Sequence, residues 1–149
     1  TLASFYLYKK NPAMSAKVLE KAITNEDIDF DNTNAKLLAD SWLFAKERLK
    51  SLNVIGRSLN NDPEDAKLIK QYINIAFSAF EWDEVIRGIK KADEAGLKDD
   101  GKFALMKGIA YFEKKSITNA KNSFIEASNS KEYKDQGIAW LEYLEALNG

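Results

Sequence analysis

Histidine and cysteine are both absent from the 149 residues. Without histidine the chain lacks the commonest general base and metal ligand of neutral pH. Without cysteine it has no disulfide framework, no thiolate metal site and no thiol nucleophile. No Ser-His-Asp or Cys-His arrangement can be drawn from such a chain, so enzymes built on those groups are excluded. An excess of either charge is missing too: 22 Lys and Arg stand against 23 Asp and Glu, a net charge of -1. That balance lacks the basic surplus that phosphates or anionic lipid would attract, which argues against nucleic acid and membrane surfaces as partners. No apolar run approaches the roughly 20 residues that span a bilayer, and no basic, apolar, small-residue signal sequence opens the chain. Because it opens on Thr1, the expectation is that a segment preceded it.

Proline is scarce, with only Pro12 and Pro63, and the seven glycines lie mostly near the ends of apolar-periodic stretches or where a tight contact is expected. Strand-like alternation is missing. In its place come stretches such as Ala35 to Leu59, with apolar residues recurring at three and four, the period of a helix with one buried face. The pattern predicts helices over 2–10, 12–24, 33–47, 49–60, 64–79, 82–95, 101–114, 117–129 and 134–147. Connections this short between such helices force antiparallel hairpins. Asn11 before Pro12, Asp62 before Pro63, and Ser116 are expected starts, where a cap oxygen satisfies free amide groups. A chain of this length can remove about two thirds of its unfolded surface from water.

The pattern repeats. Leu38, Ala39 and Trp42, then Ser51, Ile55 and Ser58, then Pro63 give a large and a small residue, an aromatic, then small, large, small, then proline. Thirty-four residues on stand Tyr72, Ile73 and Ala76, followed by Val85, Ile89 and Ala92. A further 35 residues on stand Lys107, Gly108 and Tyr111, then Ala120, Phe124 and Ala127. Before the first set, Ala3, Ser4 and Leu7 stand 35 residues earlier and Ser15, Leu19 and Ala22 stand 36 residues earlier. Small residues let the two helices of a hairpin approach, while Trp42, Tyr111, Ile55, Ile89 and Phe124 fill the space between successive hairpins.

On these residues the chain resembles tetratricopeptide repeat proteins over nearly its whole length, most cleanly in Gly108, Tyr111, Ala120, Phe124 and Ala127, and in Trp42 with Pro63. The resemblance implies an all-α fold: a right-handed superhelix of antiparallel helical hairpins in a single domain, with a partial repeat at 1–31, repeats at 32–65, 66–100 and 101–134, and a capping helix at 135–149. Three positions depart from the family pattern. Ile73 fills a slot usually small, Lys107 one usually apolar and Ala76 one usually aromatic, which implies an altered packing angle in the middle pair. The last helix has no second half and is expected to cap the stack, as solenoid ends require.

A narrower resemblance is carried by the opening aromatics and lysines with Asn11-Pro12 leading into Ala16, Leu19 and Glu20, by Leu37-Leu38-Ala39 with Trp42, and by Ala139-Trp140-Leu141-Glu142-Tyr143. These segments look like a proteobacterial tetratricopeptide protein associated with TonB energy-transduction systems. That resemblance implies a periplasmic location, a precursor with a signal peptide, and partners among TonB-system components.

The remaining polar clusters read as structural. Asp27, Asp29 and Asp31 alternate like calcium ligands, yet the glycine turn and the terminal bidentate glutamate are missing, so a solvated loop is expected and no metal. Acids at Asp62, Glu64 and Asp65 suit the first turn of a helix, and Asp99-Asp100-Gly101 reads as a turn before a helix start. Lys9-Lys10, Lys90-Lys91 and Lys114-Lys115 sit near helix ends, where cations meet the negative end of the dipole. No glycine-rich phosphate loop is present, and no cofactor is expected.

What is left is a surface for binding, since stacked hairpins curve and their first helices line a groove for an extended peptide or a helix. Residues between the packing slots of those helices are the candidates: Lys36, Asp40 and Leu43; Lys70, Asn74 and Phe77; Leu105, Ile109 and Phe112. On the binding reading Phe77 and Phe112 anchor apolar side chains, while Lys36, Lys70 and Asn74 contact a backbone or a carboxylate. On the packing reading both phenylalanines fill the core. Lys70 with Asn74 is similar to the carboxylate clamp of chaperone-binding tetratricopeptide domains, but Asp40 and Met106 stand where further Lys, Arg or Asn would be needed. The expectation is therefore a protein-interaction scaffold without catalysis. Its alternative is a homo-oligomerisation module using exposed ends of the stack, with Phe5, Tyr6 and Tyr8 at one end or Trp140 and Tyr143 at the other.

Overall fold

Pro12 fixes where the first helix described here begins. Its ring supplies the backbone angle a first turn needs, its missing N–H is of no consequence there, and Asn11 Oδ1 accepts the Met14 backbone N–H at 3.2 Å. The computed structural model describes Ala3 and residues 10–149, and among these the regular elements are all α-helices. They are α1 (Pro12–Thr24), α2 (Asn32–Phe44), α3 (Arg48–Asn61), α4 (Ala66–Ser78), α5 (Trp82–Glu94), α6 (Lys102–Glu113), α7 (Ile117–Ser128) and α8 (Lys134–Asn148). The helix expected over 2–10, with Phe5, Tyr6 and Tyr8, lies outside the described residues apart from Ala3 and Lys10. The chain divides into two units, residues 1–79 and 80–149. In the first, α1 packs on α2, α2 on α3 and α3 on α4; in the second, α5 packs on α6, α6 on α7 and α7 on α8. The division falls between α4 and α5, inside the repeat expected at 66–100.

Turns ahead of four helices are set by one left-handed residue each. Lys10, Lys46, Phe80 and Lys115 have φ of 58°, 63°, 58° and 62°, and each stands two residues before a helix begins. In the α2–α3 turn Glu47 N–H donates to the Trp42 carbonyl at 2.8 Å, and in the α6–α7 turn Ser116 N–H donates to the Tyr111 carbonyl at 2.8 Å. This is the closure that ends a helix on a left-handed residue, and in both turns the carbonyl belongs to the aromatic slot of the repeat. Glycine usually takes the left-handed position; lysine or phenylalanine there costs about 1 kcal/mol. Without a glycine to mark it, the end of α2 comes at Phe44 instead of the expected residue 47.

One expected start is corrected. Asp62 does not begin a helix, because its N–H still donates to Ser58 O at the end of α3. Asp65 N–H then donates to Asp62 O at 3.3 Å, closing a turn with Pro63 in the position that suits its fixed φ. Asp65 is the cap, its Oδ1 accepting Leu68 N–H at 3.0 Å. Ser116 does precede α7, but its hydroxyl accepts the Asn119 side-chain amide at 2.9 Å and caps no backbone N–H. The Asp99-Asp100-Gly101 turn behaves as expected: Gly101 adopts φ 102° and the Asp99 carboxylate accepts Phe103 N–H.

Packing within each unit follows the small slots. Ser51 Oγ on α3 donates to Ala39 O on α2 at 2.8 Å, and Ser15 Oγ on α1 donates to Ala3 O, also at 2.8 Å. The second pair is the first shifted by 36 residues at both ends. All four residues are buried, where a hydroxyl without a partner would cost about 1–3 kcal/mol. In the second unit Gly108 on α6 and Ala120 on α7 hold this register. No hydroxyl is available, and the Phe124 ring seats against Gly108 so closely that an added Cβ would overlap it. The Phe124 ring also stacks on Trp140 of α8, centroids 4.9 Å apart and planes within 8°. Ala120, Phe124 and Leu144 form the core of this region, with Trp140 and Leu141 of α8 packed onto it. Gly137 lets α8 come that near: a Cβ there would stand 2.6 Å from Ser128 N. Lys107, in a slot the pattern makes apolar, keeps its ammonium 3.2 Å from Glu126 Oε2.

Gly108→Ala should therefore displace a ring that is held against both Gly108 and Trp140. The expected loss is about 1–3 kcal/mol of unfolding free energy, measured as a lower urea midpoint. Adding Phe124→Leu to Gly108→Ala should recover part of it, whereas independent sites would show additive losses.

Candidate functional site

Lys36, Asp40 and Leu43 on α2 recur at four and three residues and so share one helix face, as do Lys70, Asn74 and Phe77 on α4. Lys36, Leu43, Lys70 and Asn74 are exposed, and Asp40 and Phe77 are half-buried. The two helices are joined across this face by Gln71, whose Nε2 donates to Asp40 Oδ1 at 3.5 Å. Asp40 is thus brought beside the stretch of α4 that carries Lys70 and Asn74. Burial pushes the Asp40 carboxyl above its usual range, and the Lys36 ammonium one turn away offsets part of that rise. The face offers a half-buried acceptor at Asp40 together with donors at Lys36, Lys70 and Asn74. Such a mixture suits a peptide backbone, which brings both unpaired N–H and C=O groups.

The other three candidates belong to the second unit and are engaged differently. Leu105, Ile109 and Phe112 are half-buried against the core of Ala120, Phe124 and Leu144. The Phe112 ring tilts against Trp140 at 5.2 Å and meets Tyr143 edge-on at 5.8 Å. Both rings come from α8, so Phe112 serves the contact that holds the last helix in place. The nine candidates therefore fall into two sets, a polar face on α2 and α4 and an apolar one on α6.

Gln71 was not among the candidates. Its signal in the sequence is slight, one of two polar residues, with Lys70, between the buried Ile69 and Tyr72. The clusters read as structural have structural partners. Asp31 Oδ1 caps α2 by accepting Asn34 N–H at 2.7 Å, and Asp29 contributes its backbone carbonyl to the Asn34 side chain at 2.8 Å. Phe30 between them lies under the Arg57 guanidinium, 4.3 Å from the ring centroid, a contact that favours a cation over an aromatic face. Lys114 pairs with Asp83, and Lys90 lies 3.9 Å from Glu94. Among the described residues no group of three or more carboxylates is placed to hold a metal ion, and no helix is long and apolar enough to cross a membrane.

No family model matches the chain, and no curated protein matches it.

Asp40 gives the polar face a pH signature. A carboxyl whose folded pKa lies above its value of 3.8 in the open chain favours folding while protonated, and that contribution is lost as the pH rises through the folded value. Asp40→Asn should therefore raise the denaturation midpoint at pH 7 and leave it nearly unchanged at pH 3. Urea titrations of both proteins at the two pH values check this, and a lower midpoint for Asp40→Asn at pH 7 would show that ionised Asp40 stabilises the fold.

Proposed function

We propose that this chain is a tetratricopeptide-type scaffold, a right-handed stack of helical hairpins that holds a protein segment and catalyses nothing. The observation that carries the reading is the hydrogen bond between Gln71 and Asp40, which joins α2 and α4 across one polar face. Two further regularities support the repeat. One is the serine-to-carbonyl bond at Ser15 and again at Ser51; the other is the left-handed residue that recurs at 10, 46, 80 and 115.

On this reading an extended segment of a partner lies along α2 and α4. Asp40 accepts a backbone or side-chain donor, Lys70 and Asn74 contact carbonyl or carboxylate oxygens, and Leu43 with the half-buried Phe77 borders the apolar part of the contact. The resemblance of the Asn11-Pro12, Trp42 and Ala139-Trp140-Leu141-Glu142-Tyr143 segments points to partners in a TonB-type envelope transport system, with the chain acting in the periplasm as an accessory component.

The test is a calorimetric titration of the full chain with synthetic periplasmic segments of TonB-system proteins. A segment that binds should lose affinity by about tenfold or more when Lys70 and Asn74 are both changed to Ala, the effect of removing one energetically important contact. Lys131→Ala, far from this face in the sequence, should leave the affinity unchanged. If none of the segments binds, the TonB assignment fails; if one binds and the double variant binds it equally well, the α2–α4 face is not the site.

A further inference from the structure

The capping helix covers the core of the second unit with one side and leaves a second apolar side open. Between α7 and α8 runs a groove of about 290 Å³. One wall is the ridge Ile117, Lys121 and Ile125 of α7, spaced by four; the other carries Ile138, Glu142 and Glu145 of α8. Ile117 is 41% exposed, Ile125 42% and Ile138 37%, although isoleucine is among the residues most often buried. Along the antiparallel pair α7 and α8, Ile125 and Ile138 line the groove toward the turn that joins the helices, and Lys121 and Glu142 line it nearer its middle. No ion pair forms between Lys121 and either glutamate, and the described salt bridges involve other residues. The groove thus presents one cation on one wall and two carboxylates on the opposite wall, each turned to water.

We propose that the occupant of this groove is a second copy of the chain, related by a two-fold axis and inserting its own α7 ridge. The ridge Ile117-Lys121-Ile125 has the chemistry the groove asks for, with an isoleucine at each end for the apolar floor and a cation in the middle for Glu142 and Glu145. In a two-fold contact each interaction occurs twice, with the partners exchanged. Lys121 of each copy then meets the glutamates of the other, and the four isoleucines of the two ridges leave water together. Ridges at four-residue spacing set into the groove between two helices are an ordinary mode of helix packing. A foreign helix could satisfy the same groove only by carrying its own apolar stripe with a central cation, which α7 already supplies. This contact uses neither the α2–α4 face nor the aromatic pair Trp140 and Tyr143, and it stands or falls apart from the binding function.

Sedimentation velocity over a wide concentration range should show a monomer–dimer equilibrium for the full chain. Ile125→Glu places a carboxylate on the ridge and should raise the dissociation constant by about tenfold or more, while circular dichroism reports whether the fold survives. The deciding measurement is a charge exchange. Lys121→Glu alone makes both copies of the central contact acid against acid, and Glu142→Lys with Glu145→Lys makes both base against base. Each variant should be monomeric by itself, and an equimolar mixture should form a heterodimer, because acidic ridge then meets basic wall and basic ridge meets acidic wall. A wild-type chain that is monomeric at every concentration overturns the proposal, even if an unrelated amphipathic helical peptide titrates into the groove. So does a dimer that persists unchanged in the separate charge variants, since its interface must then lie elsewhere.

Discussion

Two helices come into close contact where one of them offers almost no side chain, and the rest of this structure is arranged around such places. At Gly108 the ring of Phe124 takes the space a Cβ would need, and Trp140 stacks on the same ring. One aromatic ring thereby fixes three helices: α6 through the glycine, α7 through its own backbone, and α8 through the indole. The first unit solves the same problem with hydroxyls. Ser51 and Ser15 are small enough for close approach, and each places its hydroxyl on the carbonyl of the residue twelve positions earlier. A ring in a slot is held by shape and a buried hydroxyl by direction, so one register of the repeat uses two different physical devices.

The devices differ in what they reveal of themselves in a sequence. Periodicity alone places the helices from α1 to α8 to within a few residues, because each has an apolar face, and the 34- to 36-residue recurrence of small and large residues aligns them. Helix ends are less visible. Glycine or proline is the usual punctuation, but Lys46 and Lys115 occupy left-handed positions that carry no glycine, so α2 reads too long. Pro63 misleads in the opposite direction: it opens a tight turn, and the cap falls to Asp65 two residues on. A proline after an aspartate fits either role, and the choice depends on whether Asp62 is still bonded to the preceding helix.

The surface was harder to read than the core for a related reason. An amphipathic pattern separates inside from outside, but it does not say which neighbour covers the flank of a stripe. Phe77 and Phe112 hold the same place in their helices' sequence pattern. The ring of Phe112 is met by Trp140 and Tyr143 from a helix 22 or more residues later, a long-range fact invisible to local spacing. Asp40 is legible as a polar residue on the same helix face as Lys36 and Leu43, yet its partial burial depends on how its neighbours pack. Gln71 completes that contact, and nothing in its immediate sequence marks it.

Composition and structure meet in the charge behaviour of these surfaces. With no histidine, no side chain has its ordinary titration between about pH 5 and 8, so the charges available to a partner are constant there unless burial moves one into range. Asp40 is moved in that direction, toward protonation at higher pH, and it lies at the centre of the polar face. A partner that donates to its ionised carboxylate draws the pKa back down, because hydrogen bonds to the charged form favour it. Binding on that face would then take up the energetic penalty that the free protein carries at Asp40. At the α7–α8 groove Lys121, Glu142 and Glu145 are all exposed, and in the proposed dimer isoleucine burial would supply the affinity while charge selects the partner. On the two proposals, mutations at the α2–α4 face should act on affinity with a pH dependence through Asp40, and those at the α7–α8 groove with a salt dependence.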